Sequence, residues 1–253
     1  PGNQFATPGR LAGDLTKTAF DRGTSNSAAF ISRTASISHD TLIEIFEDQA
    51  PDFDYDEYIV PLLKSIIVHG CAWGETGRHL ELILDSPDIS NSQLKKRVSK
   101  WLGYGVLDIS KVLNCTDKRA TLLGFGQLND NQAHIFRLPF PPSLGGRRDS
   151  RKLTITLAWL SPIVASSQKY RIAQIWFEAG TNPFGTARTD AERNSVRRGT
   201  VQHEVFQGEE ILAFSDGDAL EIKVNCRKDA GKIITPIKYG LTVSLEVAEG
   251  IDI

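Results

Sequence analysis

Apolar residues recur at two different periods along this chain, and the change from one to the other divides it. Up to about residue 114 they fall three and four apart, the spacing of one-sided helices. Ala28, Ile31, Ala35, Leu42 and Ile45 mark such a face and predict a helix over 25–46. Ala28, Ala29 and Ala35 keep the start of that face slim, so the helix is expected to lie close against a neighbouring sheet. An acidic stretch over 48–56, broken by Pro51, predicts a linker. Residues 58–68 (YIVPLLKSIIV) predict a second helix, apolar nearly all round and therefore buried, and 92–101 (SQLKKRVSKW) a third with a basic outer face. Gly103-Tyr104-Gly105 then breaks the chain before Val106-Leu107-Asp108-Ile109, whose apolar residues are expected to dock back on the core.

From about Arg119 the period becomes two. Leu153, Ile155, Leu157 and Trp159 alternate with Thr154, Thr156 and Ala158; Leu220, Ile222 and Val224 with Glu221, Lys223 and Asn225; and Leu241, Val243, Leu245 and Val247 with Thr242, Ser244, Glu246 and Ala248. These predict half-buried antiparallel strands. Further strands are expected over 121–125, 134–138, 171–177, 200–206 and 210–214, separated by turn signals such as Asn129-Asp130-Asn131, Gly145-Gly146 and Asp216-Gly217-Asp218. About eight short strands at this spacing predict a β-sandwich, jelly-roll-like.

Composition narrows the reading only a little. With 40% hydrophobic and 24% charged residues and a formal net charge of −2, the 253-residue chain reads as an ordinary soluble globular protein. Near-neutral charge argues against nucleic acid as a partner. The absence of a long apolar run predicts no membrane-spanning helix. The chain starts at Pro1 and has no Met, so its native N-terminus is expected to lie upstream. Cys71, Cys115 and Cys226 are sparse and form no CxxC pair, which predicts free thiols and a reducing compartment, with the cytoplasm as the expected location.

The candidate chemistry begins at Gly23-Thr24-Ser25, which opens a run of small residues leading into the first helix. A serine at a helix N-terminus has its own amide and the helix dipole facing any oxyanion formed on attack. Four places agree in order with one family: Gly23-Thr24-Ser25; Leu62-Leu63-Lys64-Ser65-Ile66-Ile67-Val68; Gly103-Tyr104-Gly105-Val106-Leu107-Asp108; and Lys152 to Pro162 (KLTITLAWLSP). In these the chain resembles the subtilisin-like serine peptidases, whose nucleophile motif reads Gly-Thr-Ser-x-Ala-x-Pro. After Ser25 the chain departs from that motif, since Asn26, Ser27, Ala28 and Ala29 follow and both Ala and Pro are replaced.

The resemblance implies an α/β fold for residues 1–116, the C-terminal and mainly helical part of a subtilisin-like domain, followed by an all-β antiparallel sandwich over 117–253. It implies a serine endopeptidase acting on polypeptide through an acyl-enzyme on Ser25, with the Ser25 amide as one oxyanion donor; apart from the resemblance, no metal or cofactor is expected. In the family the His, the Asp and the oxyanion Asn lie upstream of the nucleophile, so the upstream part of the same protein is the implied partner and this chain alone is expected to be inactive. His39, His69, His79, His134 and His203 are not expected to replace the missing base. His69 and Cys71 are two apart without a second pair, so a metal site is not expected there; Asp216, Asp218 and Glu221 are weighed as a calcium loop against a solvated turn, which is favoured. The basic runs Arg147, Arg148, Arg151, Lys152 and Arg188, Arg193, Arg197, Arg198 read as solvated loops, and Trp159, Trp176 and Phe177 as sandwich core. The competing reading is a non-catalytic β-sandwich module that binds a protein or glycan, with Ser25 only capping a helix.

Overall fold

The computed structural model describes residues 3–145, 150–179, 187–188, 199–208 and 219–247. A short antiparallel hairpin, β1 (Asn3–Ala6) with β2 (Thr18–Asp21), precedes the first helix. Its residues are mostly exposed, so no alternating pattern announces it in the sequence. Helix α1 (Thr24–Gln49) is anchored by Thr34, Ser38, Leu42 and Phe46, a buried row at i, i+4 spacing. Residues 24–33 contribute nothing to that row. Ala28 and Ala29 are exposed and Ala35 half-buried, so the slim face expected to meet a sheet meets none among the described residues.

Helix α2 (Asp56–His69) buries Ile59, Pro61, Leu62, Ser65, Ile66 and His69, while Val60 points outward. After β3 (Cys71–Ala72) comes α3 (Gly74–Leu84), a helix not among those expected from the apolar spacing. Only Gly77 of α3 is buried; Leu80 and Leu84 on the same side are half-buried and Leu82 and Ile83 exposed, so its apolar row is short and mixed with exposed apolar residues. Helix α4 (Asn91–Leu102) starts at a reciprocal capping box between Ser90 and Gln93 and ends at Gly103, whose φ of 56° favours glycine. Gly105 (φ 106°) sits where a Cβ would strike the Ala72 carbonyl, because β4 (Val106–Leu107) turns back to pair with β3. Leu107 is half-buried there and Val106 exposed. Asp108 then caps α5 (Ile109–Leu113) by accepting from the Ser110 amide.

The strands form two antiparallel sheets. One holds β5 (Arg119–Leu128), β12 (Ile237–Val247), β7 (Arg151–Trp159), β10 (Val201–Gly208) and β9 (Ala187–Arg188), in that order; the other holds β6 (Ala133–Pro139), β11 (Ala219–Lys228) and β8 (Ala173–Ala179). The expected segment 210–214 lies outside the described residues. Leu153, Ile155, Leu157 and Trp159 of β7 share one apolar cluster with Ile175 and Phe177 of β8, Ile222 and Val224 of β11, and Leu241 of β12. Inward residues of both sheets thus build one core. Trp176 has the opposite parity from Phe177; it lies outside that core, with Arg227 stacked over its ring at 5.4 Å.

The opposite face of the larger sheet departs from the half-buried expectation. Strand β11 does alternate, with Glu221 and Lys223 exposed. In β7 the residues Thr154, Thr156 and Ala158 are also buried, as are Thr242 and Ser244 of β12. Helix α2 covers them. The close approach depends on Gly240 of β12, where a Cβ would lie 2.7 Å from the Leu62 backbone and from the Pro61 carbonyl carbon. Around it Leu42, Phe46, Ile59, Leu62 and Ile66 form a second cluster, packed against Leu123 and Phe125 of β5. The expected division at 116/117 falls between α5 and β5, and α2 packs across it onto the sheet.

Candidate functional site

Ser25 occupies the first turn of α1 and its side chain is exposed. That turn carries no acidic residue and no side-chain cap, so among the described residues no carboxylate occupies its amides. Gly23 precedes it with φ 171°, an extended conformation open to any residue, and a Cβ there would meet nothing within 4 Å. Neither the backbone conformation nor the space there requires glycine. The first turns of α1 project from the body of the protein, and none of their residues belongs to either apolar cluster.

The histidines are dispersed. His39 is on the same helix, roughly 21 Å along the axis from Ser25 at the α-helical rise, and its Nδ1 lies 3.3 Å from the Asp40 carboxylate. His79 is exposed on α3. His134 Nδ1 is 2.7 Å from the Tyr239 hydroxyl. None of these is joined to Ser25.

His69 and His203 instead form a buried polar network between α2 and the larger sheet. The Thr156 hydroxyl lies 2.9 Å from His69 Nδ1 and 2.7 Å from His203 Nδ1, and His69 Nε2 is 2.7 Å from the Ser244 hydroxyl. One turn earlier, Ser65 meets Thr242 at 2.7 Å. The sheet register produces this row, since Thr242 pairs with Thr156 and Thr156 with His203. Burial, then the neighbouring His203 and the charges of Lys152, Arg119 and Lys111, hold His69 well below its ordinary value. Burial and then Lys152 bring His203 down to about 4. Both rings are neutral at pH 7, and His203 Nε2 has no hydrogen-bond partner among the described residues. The sequence does hold a trace of this network: the central polar positions of β7 and β12, Thr154, Thr156, Thr242 and Ser244, are small hydroxyls where β11 has Glu221 and Lys223.

The remaining candidates stay apart. Asp216 and Asp218 lie outside the described residues, and Glu221 is ion-paired with Arg137 at 2.9 Å. Of the basic runs, Arg147, Arg148, Arg193, Arg197 and Arg198 also lie outside them, as does the side chain of Arg188, while Arg151 is buried and its Nη2 donates to the Leu144 carbonyl at 3.2 Å. The three cysteines are free, and burial raises the Cys71 thiol to about 11, which keeps it protonated. No group of three potential metal ligands occurs among the described residues, and no described helix is long and apolar enough to cross a membrane. No protein-family model matches the chain, and no curated protein matches it.

Proposed function

We propose that this chain carries the nucleophile of a subtilisin-like serine endopeptidase, with Ser25 forming the acyl-enzyme and its base, orienting acid and second oxyanion donor coming from a segment outside residues 1–253. The observation that carries the reading is the uncapped, unacidic first turn of α1 with an exposed Ser25 on it. In that position the hydroxyl can reach a carbonyl carbon while the Ser25 amide donates to the oxygen that becomes negative. Gly23 supports it further. Nothing among the described residues requires glycine there, so the open space beside Ser25 is room for something that approaches from outside, such as substrate backbone. The exposed faces of Ala28 and Ala29 give the rest of the catalytic domain a surface to cover. The sandwich acts as a rigid base for α1 through α2, and the alternation of strands β5 to β8 and β10 to β12 between the two sheets supports the jelly-roll-like reading.

The test is labelling by a fluorophosphonate probe. No base stands beside Ser25 among the described residues, so the chain alone should not be labelled, because loss of triad members removes most of the nucleophile's activation. The same chain preceded by its natural upstream sequence should be labelled, and Ser25→Ala should abolish it. Labelling that survives Ser25→Ala, or a folded longer protein that is never labelled, would overturn the reading in favour of a binding module.

A further inference from the structure

A cleft of about 360 Å³ opens where α3 and α5 meet the helix-covered face of the larger sheet. Its wall carries Arg78, Lys111, Arg119 and Lys152 against Glu81 and Glu246, an excess of cations. Glu246 is held by Lys152 at 3.3 Å. Lys111 is half-buried and makes no ion pair among the described residues. Arg119 spends its Nη2 on the Ser110 and Asn114 carbonyls, and its Nε is buried without a partner among the described residues. On the floor, Thr154 is only 4% exposed, lines the cleft, and makes no hydrogen bond among the described residues through its hydroxyl. Helix α3 begins at this wall with Gly74, and no side chain caps its first turn.

We propose that the cleft binds the phosphate or carboxylate group of a small-molecule ligand. Among the described residues Lys111 and Arg119 have no carboxylate partner, the Thr154 hydroxyl is buried without a hydrogen bond, and no side chain caps the start of α3, whose first turn carries Glu75. The volume is at the lower end of small-ligand sites, which fits one anionic group with a short body. His69 also lines the cleft, and the charges of Lys152, Arg119 and Lys111 act on it from the same side, as their effect on its proton affinity records. An anion seated among them would reverse that effect and draw the His69 value upward. The site is independent of Ser25, so it stands or falls separately from the peptidase reading.

The experiment is calorimetric titration of the 253-residue chain with inorganic phosphate and, separately, with acetate at matched ionic strength, alongside Lys111→Gln and Thr154→Val. Saturable binding below about 10 mM in either arm is expected, weakened about tenfold in Lys111→Gln, the worth of one charge-assisted contact. The arm that binds identifies the group. The NMR titration of the His69 ring should move to higher pH when that anion is present. No saturable binding in either arm, or equal binding by wild type and by both folded variants, would overturn the proposal.

Discussion

Two buried neutral imidazoles make His69 and His203 the residues through which pH acts on this fold. In the unfolded chain each titrates near its ordinary value of about 6.5. In the folded chain His203 titrates at about 4, and His69 is also depressed. Between those values the unfolded state binds more protons, so stability is complete above about pH 6.5 and falls as pH drops toward 4. For His203 the loss by about pH 5 amounts to about 2 kcal/mol. Urea unfolding midpoints at about pH 7.5 and about pH 5 measure this. His203→Gln should flatten the difference, and equal midpoints for the wild type would refute it.

At the scale of elements, the seating of α2 on the sheet rests on a position without a side chain. Gly240→Ala puts a Cβ into the backbone of Pro61 and Leu62, where neither side can yield by rotating a side chain. The expected cost is about 1–3 kcal/mol, that of overpacking a core, read as a lower urea midpoint. Gly23→Ala, with open space around it, should leave the midpoint unchanged. Elements with a strong period were legible in the sequence: β7, β11 and β12 from alternation, α2 from its apolar run, α4 from its pattern. Helix α3 and the β1–β2 hairpin were not, because α3 half-buries only Leu80 and Leu84 and the hairpin's residues are mostly exposed. Ser25 at a helix start was legible from three adjacent residues. The His69 network was not, since its partners are 87 and 175 residues away and meet only through the strand register.

Over the whole molecule, helices and sheet are joined by a second core and by a layer of polar contacts. Residues 117–253 alone would expose Leu123, Phe125 and the hydroxyl row of β7 and β12, all of which the helices cover. That piece should therefore lack the cooperative thermal transition of the full chain, measured by circular dichroism and tryptophan fluorescence together. A piece that melts cooperatively near the full-chain temperature would show that the helical layer is dispensable. The same joining matters for Ser25: α1 is fixed to α2, and α2 to the sheet, so the projecting turn is held by the rigid part of the molecule.

The Thr156 hydroxyl has a single hydrogen and stands between two Nδ1 atoms. It can donate to one ring only, so the other must present Nδ1–H to it, and the two tautomers are not independent. If His203 carries the proton on Nδ1, its unpartnered Nε2 is a bare lone pair, and His69 can donate from Nε2 to Ser244. The reverse assignment leaves a buried N–H without an acceptor, the costlier defect. A chain of donors then runs in one direction, from β10 through β7 to α2 and on to β12. A proton added to either ring has no acceptor waiting within that chain, and so the layer resists acid as a unit until it opens.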